Sequence, residues 1–136
     1  MNDERGKQMP SAGGDRMDEG EKHDLRNRTK QFALRVLRVY SSLPRTTPAQ
    51  VLGKQVLRSG TSVGAHYREA YRARSPAEFV SKLESGLQEL EETGYWLELL
   101  VDGGIVSSDQ LRELFQEAKE LTSIFVASVK TAKKNI

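Results

Sequence analysis

The clearest candidates for chemistry are His66 and Glu69, which lie three positions apart in a segment that the sequence predicts to be helical. At this spacing the two side chains share one helix face and can bind a metal ion, as they do in di-iron bundles. Such a site requires four carboxylates and a second histidine pair. Residues 25–75 contain one carboxylate, Glu69, and the only other histidine is His23. We therefore predict no metal site and interpret His66 as a polar residue at a contact between helices.

Nucleophilic catalysis and phosphate-loop chemistry lack the residues that they require. No serine lies in a strand–turn–helix elbow flanked by glycines. Residues 59–62 (SGTS) resemble a loop in composition, but the apolar pattern continues through them, and neither the lysine nor the preceding strand of a phosphate-binding loop is present. The chain has no cysteine, which excludes disulfides, thiolate metal ligands and cysteine nucleophiles. We therefore predict that the protein is not an enzyme and has no cofactor.

Arginine is concentrated in one part of the chain. Residues 25–75 carry eleven basic side chains and one acidic side chain, whereas residues 1–24 have a net charge of −3 and residues 76–136 a net charge of −5. Arginine binds phosphate groups in a bidentate geometry, so the sequence predicts RNA or DNA as a partner. The predicted nucleic-acid-binding residues are Arg28, Arg35, Arg38, Arg58, Arg68, Arg72 and Arg74.

A second interpretation of the same charges stays open. The arginines can serve solubility and helix dipoles, or pair a basic helical hairpin with an acidic one. In that case the protein is a self-assembling or protein-binding scaffold with no role in nucleic-acid binding.

Four segments repeat apolar residues at helical spacing, and none alternates long enough for a strand. The predicted helices cover about residues 24–42, 48–72, 76–101 and 108–133, and short connections make consecutive helices antiparallel neighbours. We therefore predict an all-α fold, an antiparallel up-down-up-down four-helix bundle over residues 23–136. Residues 1–22 lack periodicity and are predicted to be a disordered tail.

Local signals mark the helix ends. Asp24 is a plausible N-cap of the first helix, and Thr47 with the proline after it should begin the second. Ser75 and Glu78 have the spacing of a capping box, which predicts a sharp start of the third helix. Two consecutive glycines, Gly103 and Gly104, should end that helix.

Gly60 and Gly64 lie four apart inside the second predicted helix. A glycine in a helix costs about 1 kcal/mol relative to alanine, so the pair needs a compensating role. Either the two glycines allow another helix to approach closely, or the helix kinks there.

The longest apolar runs are only a few residues, far short of the roughly 20 that span a bilayer. The N-terminus has no apolar region typical of a signal peptide. We expect a cytoplasmic protein without membrane contact.

A long motif resembles that of the bacterial "four helix bundle protein" family. Its parts are residues 57–65 (LRSGTSVGA), 67–70 (YREA), 72–75 (RARS), 78–83 (EFVSKL) and 92–100 (ETGYWLELL). The family was first noted as proteins encoded by intervening sequences within large-subunit ribosomal RNA genes. It also includes the accessory variability protein of diversity-generating retroelements. The resemblance covers about residues 25–134.

This resemblance implies an antiparallel bundle that assembles as a ring-shaped homopentamer without enzymatic activity. For the retroelement branch it also implies a basic surface that binds nucleic acid and a partner reverse transcriptase. The apolar surface around Phe79, Tyr95 and Trp96 exceeds what one seam within the bundle needs, so we predict these residues at the oligomer interface. His66 departs from the family pattern, which usually has asparagine at this position.

Overall fold

Four helices account for most of the described chain. The computed structural model describes residues 19–136. In chain order the helices are α1 (Glu19–Ser42), α2 (Thr47–Tyr71), α3 (Pro76–Asp102) and α4 (Ser108–Lys133). No strand occurs within residues 19–136. The predicted all-α fold with four helices is therefore confirmed.

The first helix begins earlier than predicted. It starts at Glu19 instead of Asp24, so Asp24 lies inside α1 and is not its N-cap, and residues 19–22 of the predicted tail are helical. This added segment includes Gly20, but one glycine costs only about 1 kcal/mol, which does not end a helix whose later turns are packed. The rest of the predicted tail lies outside the described residues.

The predicted caps of α2 and α3 differ from the observed ones in detail. The N-cap of α2 is Thr46, one residue before the predicted start, and its side chain accepts no capping hydrogen bond. At α3 the Ser75 hydroxyl accepts a 3.1 Å hydrogen bond from the backbone N–H of Glu78, as predicted. The Glu78 carboxylate, however, accepts from the N–H of Arg74 at 3.1 Å, so the reciprocal bond is shifted by one residue.

A glycine pair ends α3 and directs the chain into α4. Gly104 has a φ of +76°, in the left-handed region that favours glycine. The backbone N–H of Ile105 then donates to the carbonyl of Leu100 at 2.9 Å, which satisfies a carbonyl at the end of the helix. A full capping box between Ser107 and Gln110 starts α4. The predicted helix end at these glycines is confirmed.

Side-chain contacts show that each helix runs antiparallel to the next. In α3, Lys82 lies 3.4 Å from Glu69 of α2. Further along α3, Thr93 meets Ser59, which lies earlier in α2, with 2.8 Å between the hydroxyl oxygens. Lys133 near the end of α4 lies 3.1 Å from Glu84 near the start of α3. Each helix contributes fully buried side chains to one core, among them Phe32, Val36, Val56, Tyr67, Leu83, Leu97, Leu121 and Phe125.

The glycines of α2 allow close contact with α1. A Cβ atom added at Gly60 would lie 2.7 Å from a methyl group of Val36, and one added at Gly64 would lie 3.1 Å from the hydroxyl of Thr29. Because α2 continues unbroken through both positions, close approach explains the glycines. A kink is therefore not needed to account for them.

Packing is uneven around the bundle. Helices α1 and α4 approach each other much less closely than the other neighbouring pairs. The ion pairs described below join these two helices. Polar contacts therefore contribute a larger share of the stability at this seam than at the other seams. Within residues 19–136, none of the helices combines the length and the apolar composition that crossing a membrane requires.

We predict that Gly60→Ala destabilises the protein by about 1 to 2 kcal/mol. Overpacking a buried site costs about 1 to 3 kcal/mol, and the gain in helix propensity returns about 1 kcal/mol. Val36 is β-branched and fully buried, so it has little freedom to move aside. The free energy of unfolding in urea, measured at one protein concentration, checks this prediction.

The control is a double-mutant cycle with Val36→Ala, which removes both methyl groups that the new Cβ atom meets. Gly60→Ala should cost much less in that background. Additive effects of the two substitutions would contradict the proposed close contact.

Candidate nucleic-acid interface

The seven arginines predicted to bind nucleic acid fall into two groups according to their partners. The first group forms ion pairs with carboxylates of α3 and α4. In this group Arg28 is held most firmly: its Nε and Nη2 donate to the two carboxylate oxygens of Glu117 at 3.0 and 2.7 Å. Its Nη2 also donates to Glu120 at 3.0 Å. Arg28 therefore joins α1 to α4.

These contacts change the pKa values of the groups involved. The hydrogen bond from Arg28 to Glu117 raises the pKa of the Arg28 guanidinium further above its ordinary value. The pKa of the Glu120 carboxyl is lowered, first by a hydrogen bond from Gln116 and then by Arg28. Both changes favour the charged forms and thus the ion pair.

Arg58 and Arg35 also face acids of the second helical hairpin, which consists of α3 and α4. The Nη2 of Arg58 donates to Glu92 at 2.8 Å, and its Nη1 lies 3.4 Å from Glu89. Arg35 is only loosely paired, with 3.9 Å between its Nη2 and a carboxylate oxygen of Glu113. The alternative interpretation, in which basic and acidic hairpins pair, thus describes part of the basic segment.

The second group has no such partner. Among the described residues, none forms an ion pair with Arg38, Arg68, Arg72 or Arg74. Arg38, Arg72 and Arg74 are exposed and Arg68 is half-buried. These guanidinium groups can bind phosphate without first breaking an intramolecular ion pair.

His66 lies at the contact between α2 and α3, in agreement with its interpretation from the sequence. Its Nδ1 is 3.3 Å from Glu69 and its Nε2 is 3.7 Å from Glu89. The two carboxylates therefore face different nitrogens of the ring and do not converge on one point, as metal ligands would. The hydrogen bond with His66, together with Lys82 at 3.4 Å, lowers the pKa of Glu69.

Residues 59–62 resemble a loop in composition but form part of α2. Their hydroxyls bond to carbonyls within the helix. The hydroxyls of Ser59, Thr61 and Ser62 donate to carbonyls four residues earlier, at 2.7 to 2.8 Å. Ser59 is fully buried and also meets the buried Thr93 of α3. The segment forms a buried polar contact between helices, which the sequence analysis did not predict.

The three predicted interface residues differ in exposure. Phe79 is 2% exposed and belongs to the core, so its assignment to an oligomer interface was wrong. Tyr95 is 53% exposed. Trp96 is half-buried beside Tyr95, with 5.1 Å between the ring centroids. Among the described residues its buried indole N–H has no hydrogen-bond acceptor.

A groove of about 1050 Å³ lies between α3 and α4 next to Tyr95. Gly94 faces open space there, since a Cβ atom added to it would meet no atom within 4 Å. Leu90 and Phe115 contribute apolar surface, and Glu91 is among the charged residues that line the groove. Unlike Gly60, Gly94 has no packing role within residues 19–136 of the single chain.

The chain is similar to a known protein family and to a solved structure. A family model described as "23S rRNA-intervening sequence protein" matches residues 21–127. A crystal structure of a protein of unknown function from the S23 ribosomal protein family of Bacteroides thetaiotaomicron is similar, with a TM-score of 0.76 and 35% sequence identity. That match covers 81% of this chain and 98% of the other. No curated protein matches.

We predict that Arg28→Ala lowers the free energy of unfolding by about 1 to 2 kcal/mol, the range for charged hydrogen bonds at a partly exposed site. The matched control is Arg38→Ala, also on α1 but exposed and unpaired, which should change stability by less than about 0.5 kcal/mol. Urea unfolding at neutral pH measures both. Equal effects of the two substitutions would show that the Arg28 ion pairs contribute nothing.

The difference between these two variants should also depend on pH. The folded-state pKa of Glu120 is lowered from its ordinary value of 4.5, so its stabilising effect is present above that value. It is lost as the pH falls through the folded-state pKa. We therefore expect the two variants to converge in acid.

Proposed function

Because the chain belongs to the family of 23S rRNA-intervening sequence proteins, we propose that it is a self-assembling helical protein that binds RNA or DNA. The contact surface is formed by those arginines of the basic segment that have no ion-pair partner among the described residues, Arg38, Arg68, Arg72 and Arg74, and the protein performs no catalysis. It acts in the cytoplasm, where ribosomal RNA is found. The resemblance derived from the motif of residues 57–100 is confirmed by the family match.

One observation carries the nucleic-acid proposal. Four arginines of this surface have no carboxylate partner among the described residues, and three of them are exposed: Arg38, Arg72 and Arg74. Exposed arginines without partners attract polyanions and bind their phosphates in a bidentate geometry. Arg28 and Arg58 have a mainly structural role, because their guanidinium groups are bound by acids of the second hairpin.

The absence of catalysis is part of the proposal and is supported by the polar groups themselves. The serine and threonine hydroxyls of residues 59–62 donate to helix carbonyls, which cannot take up a proton as a general base would. His66 lies between two carboxylates at a helix contact. No cofactor is required for what we propose.

Self-assembly is supported by the groove between α3 and α4. A glycine inside a helix costs about 1 kcal/mol, and Gly94 gains no internal contact in return. Tyr95 exposes half of its surface beside it. A second copy of the chain that covers this groove would account for both features. The pentameric ring, and a reverse transcriptase as partner if the gene is linked to a retroelement, rest on the family resemblance.

In the alternative function, the protein is a scaffold that assembles in the same way but does not bind nucleic acid. It is favoured by the ion pairs of Arg28 and Arg58, which show basic and acidic hairpins neutralising each other. The two candidate functions differ in whether the unpaired arginines have a ligand.

We predict that the full chain binds structured RNA and duplex DNA at low salt, without strong sequence preference. Affinity should fall steeply with salt, because each phosphate contact contributes about −0.9 to the slope of log K against log salt on B-DNA. Fluorescence anisotropy with a labelled RNA hairpin and a 20-base-pair DNA duplex measures this. No binding at about 50 mM salt would refute the nucleic-acid proposal and favour the scaffold.

The variant Arg35→Glu with Arg38→Glu separates binding from assembly. We expect it to keep the oligomer in light scattering and to bind RNA at least tenfold more weakly. Loss of the oligomer with this variant would instead assign these arginines to self-assembly.

For the oligomer, we predict that Gly94→Gln keeps the fold and disrupts the assembly. The longer side chain fits the open space of the single chain and favours helix, but it would occupy the space that a second copy needs. Multi-angle light scattering gives the mass and circular dichroism gives the helix content. The control is Ala65→Gln on the exposed side of α2. Disruption by the control but not by Gly94→Gln would place the interface elsewhere.

A further inference from the structure

Basic side chains gather at one end of the bundle, which we call the basic end: residues 24–26, 68–84 and 130–136. We propose that the phosphate backbone of a nucleic acid contacts this end, and that Lys130 of α4 and Lys134, directly after α4, bind it together with Arg72 and Arg74. The inference rests on the proposed nucleic-acid function. It adds to that function lysines that lie outside the basic segment of the sequence.

The antiparallel order brings the basic end together. The chain leaves α2 and enters α3 there, α4 ends there, and the early part of α1 runs beside them. The guanidinium carbon of Arg26 lies 5.8 Å from the ring centroid of Tyr71 at the end of α2. On the other side, Lys133 of α4 contacts Glu84 of α3. Three separate stretches of sequence thus form one surface.

The charges of this surface are unbalanced. The basic end holds eight cationic side chains and four carboxylates: Asp24, Glu69, Glu78 and Glu84. The corresponding stretches at the opposite end, residues 36–56 and 96–116, hold four cationic and four acidic side chains. These stretches of the basic end therefore carry an excess of positive charge, and those of the opposite end are neutral in sum.

Most carboxylates of the basic end are already engaged. Glu69 meets His66 and Lys82, and Glu84 meets Lys133. Glu78 accepts the backbone N–H of Arg74 and caps the start of α3. The remaining one, Asp24, is exposed.

The cationic side chains of the basic end that form no ion pair with these acids are exposed. Among the described residues, no ion pair involves Arg72, Arg74, Lys130 or Lys134, and all four are exposed. Their charge is therefore available to a polyanion in solution.

Helix dipoles explain only part of this cluster. A cation in the last turn of a helix gains about 0.3 to 1 kcal/mol, which applies to Arg68, Lys130 and Lys133. Arg74 lies in the connection after α2, and Arg26 lies in the first half of α1, where the dipole does not favour a cation. A ligand for the cluster accounts for all of these positions.

The size of the basic end suits a nucleic-acid backbone. Two helices side by side span about 20 Å, which corresponds to roughly six base-pair steps at about 3.4 Å each. Contacts of this kind bind phosphates and do not recognise bases. The expected ligand is therefore defined by its backbone and not by its sequence.

The test compares two double variants of the full chain that remove equal charge. Lys130→Gln with Lys134→Gln changes the basic end on α4 alone, outside the basic segment. Arg45→Gln with Lys54→Gln removes two exposed cations at the opposite end. Each is titrated against the 20-base-pair DNA duplex and the RNA hairpin at several salt concentrations, and circular dichroism confirms that each is folded.

We expect the α4 variant to bind at least tenfold more weakly and its salt slope on the DNA duplex to fall by about 1.8, which corresponds to two lost phosphate contacts. The opposite-end variant should stay within about threefold of the unmodified protein. Equal weakening of both variants, or no effect of the α4 variant, would overturn the inference while the proposed function stands. If the unmodified protein binds neither probe, the proposed function itself fails.

Discussion

The close approach of α1 and α2 is the constraint on which the rest of the structure depends. Gly60 and Gly64 remove the side chains that would hold these helices apart, and Val36 and Thr29 occupy the space. Tight packing of this hairpin fixes which faces of α1 and α2 point inward, and so which arginines point outward. The polar contact between Ser59 and Thr93 then sets the position of α3 against the same hairpin.

The loosest seam lies on the other side of α1, between α1 and α4, and ion pairs contribute there where apolar packing is sparse. Helices α1 and α4 share few close contacts, yet Arg28 joins them through Glu117 and Glu120. Such partly exposed pairs stabilise a protein modestly, but here they close the bundle where apolar contact is sparse. Some arginines of the basic segment are thereby used for structure, and only the remaining ones are available to a ligand.

Much of the fold could be predicted because its signals are local. Ser75 and the glycines at 103 and 104 determine helix ends within a few residues of themselves. Phe79 belongs to the core, as its position four residues before the buried Leu83 on the same helix face indicates. The pairing of Arg28 with Glu117 could not be predicted, since 89 positions separate the two residues and only the packed bundle brings them together.

The basic end could not be predicted from charge sums along the sequence, because it too is formed by residues that are distant in the chain. Summed along the chain, the lysines near the end of α4 are cancelled by acids in its first half, and residues 76–136 have a net charge of −5. In the fold, 26 residues of helix place these groups up to about 39 Å apart, several times the Debye length of about 8 Å at physiological salt. Charges at that separation do not neutralise each other, so a polyanion at the basic end is attracted by the local cluster. For a bundle of long helices, charged ligands are therefore better predicted from the charges that lie at the same height along the bundle axis. Sums of charge along the sequence are less informative.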